Sequence, residues 1–187
     1  MKVYLIRHGE TQGNREKRYA GVTDESLTRE GAELLKGIVA PLAEKLYVSP
    51  LKRTRETAEI LYPGREYEIC DDLRECNFGE FENLNHEELK DRPEYKKFIE
   101  TGGRSPFPGG EDLETFQKRC CDAFEKIVRN EREDIAFVIH GGTIMAILDK
   151  YAVPHKDYYN WMAKNGRGFE GEVEINENMI IKNVREI

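Results

Sequence analysis

The chain has 187 residues, of which 39% are hydrophobic and 35% charged, and its formal net charge is -7. This length suits one folded domain over residues 1–187, and the composition excludes a disordered chain. The acidic charge disfavours a nucleic-acid binder, and the apolar runs are too short for a membrane span or a signal peptide. We therefore predict a cytoplasmic protein with no nucleic-acid or membrane partner.

The predicted elements begin with a short apolar, β-rich run that ends directly before Arg7 and His8. A second buried strand ends before His140, and Gly141 and Gly142 then open another helix. The predicted helices cover residues 28–44, 50–61 and 112–130, and the predicted strands cover 3–6, 46–49, 67–70, 135–139, 172–176 and 179–184. The last two strands are expected to form an edge hairpin.

The alternation of strands and helices predicts an α/β fold, a three-layer α/β/α sandwich with a mostly parallel sheet. Ligands of such sheets bind beyond the carboxyl ends of the strands, where His8 and His140 are expected. The Gly- and Pro-rich stretch 101–110 is predicted to be a loop beside this site.

His8 and the residues around it have the chemistry that phosphoryl transfer needs. A neutral imidazole can attack phosphorus, and fixed positive charge must surround the phosphoryl oxygens. Arg7 supplies such a charge beside His8, Asn14 offers an amide, and Arg53 follows Ser49 and Pro50 into a helix whose N-terminus favours anions.

No metal or other cofactor is predicted. The four cysteines include no CxxC pair, and no histidine stands at zinc-finger spacing. Cys120 and Cys121 are adjacent on a predicted helix, so we expect one of them to face the core and the other to face away.

These motifs together resemble the histidine phosphatase superfamily, also called phosphoglycerate mutase-like. The resemblance rests on four segments: Arg7-His8-Gly9-Glu10-Thr11, Ser49-Pro50-Leu51-Lys52-Arg53, Leu73-Arg74-Glu75 and His140-Gly141-Gly142. It implies that His8 is the nucleophile and Glu75 the general acid, and that Arg7, Arg53 and His140 clamp the phosphoryl group. It further implies a substrate-binding set of Asn14, Thr11, Tyr19, Gly21, Gly141 and Gly142.

The expected partner is a small-molecule phosphate ester, bound by a monomer or a homodimer. The segments 18–25, 76–82 and 107–111 resemble those of bacterial alpha-ribazole phosphatases, which implies a phosphatase acting in cobalamin nucleotide loop assembly. Four aromatic residues are candidates for stacking on a bulky base or for ordinary core packing: Tyr19, Phe81, Phe107 and Phe169.

Several alternatives stay open beside this substrate. One is a broad-specificity sugar-phosphate phosphatase, and another is a phosphoglycerate mutase, which the short chain disfavours. A phosphohistidine-protein phosphatase and a non-catalytic phospho-ligand binder rank below these, because the chain carries His8, Arg53 and Glu75.

Overall fold

The computed structural model describes residues 1–187. The helices are α1 (Gln12–Arg15), α2 (Arg29–Lys36), α3 (Lys52–Leu61), α4 (His86–Leu89), α5 (Pro93–Glu100), α6 (Leu113–Asn130) and α7 (Gly141–Tyr151). The strands are β1 (Lys2–Arg7), β2 (Lys45–Val48), β3 (Glu68–Ile69), β4 (Ile135–Ile139), β5 (Ala152–Val153), β6 (Gly168–Ile175) and β7 (Met179–Glu186). No helix combines the length and the apolar character needed to cross a membrane.

The strands form one seven-stranded sheet in the order β3-β2-β4-β1-β6-β7-β5. Parallel pairing joins β1 to β4, β4 to β2, β2 to β3 and β5 to β7, whereas β6 is antiparallel to β1 and β7. The predicted mostly parallel α/β sheet is confirmed. The hairpin of β6 and β7 is also present, but the two-residue strand β5 occupies the edge beside it.

A hydrophobic core lies on each face of the sheet, because side chains along the central strands alternate between the two faces. On one face, residues of β1 and β4 pack against α6 and α7. On the other face, the alternate residues of these strands pack against α2 and α3. The predicted three-layer arrangement is therefore confirmed, and β4 between the layers is buried along its whole length.

The predicted helix 28–44 is too long. Thr28 is the N-cap of α2, since its side chain accepts a hydrogen bond from the backbone of Gly31, but the helix ends at Lys36. Gly37 lies at the C-cap, and Pro41 follows without the N–H that a helix interior needs. The apolar side chain of Val39, which lies within the predicted helix, is 95% exposed.

The sequence interpretation missed α4 and α5. Both have local start signals: Asn85 forms a capping box with Glu88, and Pro93 begins α5. These two short helices lie between the predicted strand 67–70 and the loop 101–110. They bring Tyr95 and Phe98 into the core on the α6 face.

Candidate active site

The carboxyl ends of β1 and β4 place His8 and His140 side by side. The two strands are parallel neighbours with Arg7 opposite Ile139, so the residues that follow them meet at one edge of the sheet. The backbone N–H of His8 donates to the carbonyl of Ile139 over 3.0 Å. The imidazole rings are 5.3 Å apart between centroids, and both are buried.

The hydrogen bonding of His8 determines its tautomer. Nδ1 lies 2.7 Å from the carbonyl oxygen of Gly9, which can only accept, so Nδ1 carries the proton and Nε2 keeps its lone pair. Burial lowers the pKa of His8 well below its usual value, and the positive charges of Arg53 and Arg7 lower it further. The ring is therefore neutral and nucleophilic at Nε2.

His140 has a different environment at the N-terminus of α7. Its Nε2 lies 2.7 Å from Ser49 Oγ, and its Nδ1 is buried without a hydrogen-bond partner in the chain. Burial lowers the pKa of His140 well below its usual value, with Arg53 and His8 as further causes. Ser49, the residue that precedes the proline of the second motif, is thus a direct neighbour of the second histidine.

Arg53 lies beneath the site, with only 1% of its surface exposed. Its Nη1 donates to the carbonyl of Thr23 over 2.7 Å, and its Nη2 donates to the carbonyls of Ala20 at 3.1 Å and Gly21 at 2.8 Å. The Nε is buried and has no partner in the chain. Carbonyl oxygens hold the guanidinium in place without neutralising it, so its charge is available to an anion.

Arg7 is held in a similar way from the opposite side. Its Nη1 donates to the carbonyl of Ala163 over 2.7 Å, and its Nε is buried without a partner. A Cβ added to Gly141 would lie 3.4 Å from this Nε, so the glycine leaves room around it. Arg7 and Arg53 together bring two positive charges that no carboxylate pairs with at the site.

Glu82 positions the loop that holds Arg53, and the sequence motifs gave it no role. Its carboxylate accepts hydrogen bonds from the backbone N–H groups of Gly21, Val22 and Thr23 and from the Thr23 hydroxyl, at 2.7 to 3.3 Å. Gly21 does not line the cavity of the site. A Cβ there would lie 1.8 Å from the carbonyl oxygen of Cys76, so Gly21 allows two backbone segments to approach closely.

Thr11 and Asn14 have separate roles. Thr11 is fully buried, and as the N-cap of α1 its hydroxyl accepts from the backbone N–H of Asn14, so it does not line the cavity. Asn14 does line the cavity. Its Oδ1 accepts from the backbone of Thr11 at 3.2 Å and from Asn165 Nδ2 at 2.8 Å, which leaves the amide N–H groups of Asn14 for a ligand.

Asn165 was not predicted from the sequence. Besides Asn14, its Nδ2 contacts the carbonyl oxygen of His8 at 3.1 Å. It therefore links the backbone of His8 to the amide at the cavity wall. It stands in no recognisable motif, and 157 residues separate it from His8 along the chain.

Glu75 lies beside the N-terminus of α7 and is 9% exposed. Its Oε1 accepts from the backbone N–H of Cys76 and its Oε2 from that of Gly142, each at 3.0 Å. A Cβ on Gly142 would lie 2.3 Å from Glu75 Oε1, so only glycine permits this approach. Burial raises the pKa of Glu75 above its usual value, although both backbone hydrogen bonds oppose the rise.

A cavity of about 300 Å³ opens over Arg7, His8 and Glu75, whereas the buried Arg53 and His140 are not among its lining residues. Twelve of its 20 lining residues are hydrophobic, and they include the predicted aromatics Tyr19 and Phe107. Phe81 and Phe169 were also candidates, but both are buried away from the cavity, and Phe169 packs against Trp161 at 5.6 Å between ring centroids. The loop 101–110 lies beside the site as predicted, since Phe107 belongs to it. No cluster of three or more His, Cys, Asp or Glu side chains is arranged to hold a metal ion.

The chain is similar to known proteins along most of its length. The family model described as "Histidine phosphatase superfamily (branch 1)" matches residues 3–167. Phosphoglycerate mutase-like protein 4 of Arabidopsis thaliana is 33% identical over 161 residues, which cover 80% of this chain and 70% of that protein.

Two solved structures show a similar fold. Phosphoglycerate mutase from Thermus thermophilus is 30% identical with a TM-score of 0.73, over 92% of this chain and 93% of that one. Alpha-ribazole phosphatase from Shigella flexneri is 23% identical with a TM-score of 0.82, over 97% and 94% of the two chains. At 23% identity, the similarity to the Shigella flexneri protein concerns the fold alone.

Proposed function

The chain belongs to the histidine phosphatase superfamily, and from this premise we propose that it is a metal-independent phosphomonoesterase with His8 as nucleophile. One observation carries the proposal. Three nitrogen atoms of residues near His8 are buried without a partner in the chain: Nε of Arg7, Nε of Arg53 and Nδ1 of His140. Buried donor nitrogens, two of them on guanidinium groups that no carboxylate neutralises, favour a phosphoryl group, which has several acceptor oxygens and a negative charge.

In the first step, His8 Nε2 attacks phosphorus and forms the N–P bond while the bond to the ester oxygen breaks. Arg7 and Arg53 stabilise the negative charge on the phosphoryl oxygens. His140 adds a hydrogen bond from Nδ1, in the tautomer in which Ser49 Oγ donates to its Nε2. The departing alkoxide takes a proton from Glu75, whose raised pKa keeps that proton available.

In the second step, water attacks the phosphohistidine and Glu75 accepts a proton from it. Phosphate leaves, and His8 returns as the neutral imidazole with its Nε2 lone pair restored. Arg7 and Arg53 serve both steps because the same phosphoryl group is transferred twice. Neither step needs a metal ion, since the positive charge comes from the two arginines.

We assign alpha-ribazole 5'-phosphate as the substrate. The cavity is mostly apolar, and aromatic side chains such as Tyr19 and Phe107 suit a flat base. The protein of similar fold from Shigella flexneri is an alpha-ribazole phosphatase. We also propose that residues 1–187 form a single domain and that its substrate is a small molecule.

Phosphoglycerate mutase is the second candidate, because the Thermus thermophilus neighbour carries that name. A phosphoglycerate would need a cation for its carboxylate beyond the phosphoryl clamp. Arg18 is the cation left on the cavity wall besides Arg7, and it is already bound by Glu16 and Glu88. Because the guanidinium of Arg18 is already paired, the cavity favours a phosphate ester whose alcohol part carries no negative charge.

Phosphate release tests this assignment. With EDTA present, alpha-ribazole 5'-phosphate should be hydrolysed with a higher kcat/KM than 3-phosphoglycerate. Equal or reversed efficiencies would remove the cobalamin assignment and leave the phosphohistidine chemistry standing. Transfer of phosphate between positions of phosphoglycerate, without release, would favour the mutase.

A further inference from the structure

Arg119 in α6 holds the chain segment that carries Glu75. Its side chain is only 12% exposed and faces Glu111, which is 16% exposed. Arg119 Nε donates to Glu111 Oε1 over 2.9 Å, and Nη2 donates to Glu111 Oε2 over 2.8 Å. The pair is therefore bidentate and largely removed from solvent, the geometry that most restricts a guanidinium.

The remaining N–H groups of Arg119 reach the backbone on both sides of the Glu75 Cα. Nη1 donates to the carbonyl of Asp72 at 2.8 Å and to that of Arg74 at 3.1 Å, and Nη2 approaches the carbonyl of Glu75 at 3.4 Å. A guanidinium has five N–H donors, and each of them has an oxygen acceptor here. Three of the five go to the 72–75 backbone.

Glu111 completes the attachment on the far side of Glu75. Its Oε2 accepts from the backbone N–H of Asn77 at 2.9 Å, and its own backbone N–H donates to the carbonyl of Asn77 at 2.9 Å. Residues 74–77 belong to no helix or strand, so regular secondary structure does not fix them. Hydrogen bonds from Arg119 and Glu111 take the place of regular secondary structure and fix the backbone from residue 72 to residue 77.

We propose that Arg119, bound to Glu111, is a positioning residue for proton transfer by Glu75. The inference rests on the proposed function, in which Glu75 is the general acid. Proton transfer to a leaving oxygen requires heavy-atom distances of about 2.6–3.2 Å, so a small shift of the Glu75 backbone costs rate. Lysine cannot replace Arg119, because an ammonium is a point charge and lacks the planar fork that spans Glu111 and the backbone.

A role in stability alone makes a different kinetic prediction. A buried ion pair can hold a structure together, and its loss would then affect every substrate to the same extent. Loss of positioning at Glu75 affects only esters whose leaving group needs a proton. The ratio of two leaving groups therefore separates the two roles.

The experiment compares benzyl phosphate, a poor leaving group, with p-nitrophenyl phosphate, a good one. Arg119→Lys should lower kcat/KM for benzyl phosphate by roughly 10- to 100-fold and for p-nitrophenyl phosphate by less than about 3-fold. The matched control is Lys118→Gln, which removes an exposed cation of the same helix that pairs with Asp122. The control should leave both rates unchanged.

A double variant shows whether Arg119 acts through Glu75. In a Glu75→Gln background, Arg119→Lys should have no further effect on benzyl phosphate, because the proton donor is already absent. Independent, multiplicative losses would overturn the proposal, and so would equal losses on both substrates. If Arg119→Lys does not fold by circular dichroism, Glu111→Gln takes its place with the same expected ratio.

The outcome also separates this inference from the function on which it rests. If Glu75→Gln slows both esters equally, Glu75 is not the general acid and the positioning role falls with it. If Glu75→Gln slows only benzyl phosphate and Arg119→Lys does not, the function stands and the Arg119 inference is wrong.

Discussion

The floor and the wall of the cavity are built by different means. The floor comprises His8, His140 and Arg53, and each has defined hydrogen-bond partners: the Gly9 carbonyl for His8, Ser49 for His140 and three carbonyls of the 20–23 loop for Arg53. In the wall, Phe98 and Phe107 mainly contact each other and further rings, at 4.8 Å between their centroids. The side chains of these two phenylalanines make no comparable directional bonds.

This difference indicates how the two parts respond to change. Hydrogen bonds on the floor are directional, and a buried charge that loses its partner is costly, so substitutions there should abolish or redirect the chemistry. Aromatic packing is non-directional and shared among many rings, so single substitutions in the wall should change substrate preference by small factors. We therefore expect the floor to determine the reaction and the wall to determine which alcohol is accepted.

The largest expected effect is on the floor, at the nucleophile. His8→Ala should lower phosphatase activity by at least about 10⁴-fold, because no other group on the floor presents a free imidazole lone pair to phosphorus. An acid-labile phosphoryl adduct should be trapped on His8 in the unchanged protein by rapid quench. His155→Ala is the matched control, since that histidine is 62% exposed. Near-normal activity of His8→Ala would exclude the mechanism.

The next largest effect is expected at Glu75, which lines the cavity. Glu75→Gln should slow benzyl phosphate by about 10² to 10⁴ and p-nitrophenyl phosphate far less, since aryl leaving groups hardly need a proton. Equal slowing of both would place Glu75 in the second step.

The pH profile follows from the pKa shifts of the same two groups. The proposed mechanism needs His8 deprotonated and Glu75 protonated. Burial and the two arginines lower the pKa of His8, so the acid limb should lie below the usual histidine range. Burial raises the pKa of Glu75, so activity should fall as the pH rises through this raised pKa. In Glu75→Gln this decrease at high pH should be absent. A decrease caused by ionisation of the substrate would remain in the variant.

The smallest effect is expected in the wall. Tyr159 lines the cavity and is 59% exposed, so its loss costs little core packing. Tyr159→Ala should raise KM for benzyl phosphate by about 2- to 12-fold, the equivalent of about 0.5–1.5 kcal/mol for an aromatic contact, and leave KM for ethyl phosphate unchanged. Val39→Ala, at an exposed apolar residue outside the cavity, is the control. A loss of phosphatase activity as large as that of His8→Ala would contradict the distinction between floor and wall.

Much of the floor could be predicted because its signals are local. An apolar β-rich run that ends at Arg7, and another that ends at His140, predict two buried strands whose last residues meet at one sheet edge. The predicted helix 112–130 begins at Asp112, whose carboxylate accepts from the backbone N–H of Thr115 at 2.7 Å. Such signals depend on neighbours a few residues apart, and these the sequence displays directly.

The helix α6 shows what local patterns leave open. Adjacent Cys120 and Cys121 were expected to differ in burial, and this was wrong, since both are buried. Cys121 Sγ lies 3.3 Å from the carbonyl of Ala146 in α7, whereas Cys120 faces the carbonyl of Arg74. The helix is covered on two sides, so helical periodicity alone could not give its buried face.

By itself, the sequence determined the layered α/β fold and the two histidines at the strand ends. Only the tertiary structure decided the supporting contacts, among them Asn165 at Asn14 across 151 residues and Arg119 at the Asp72 carbonyl across 47. The physical reason is that local propensity and apolar periodicity act between near neighbours in the chain. A hydrogen bond between distant segments exists only once the sheet and its helices have brought those segments together.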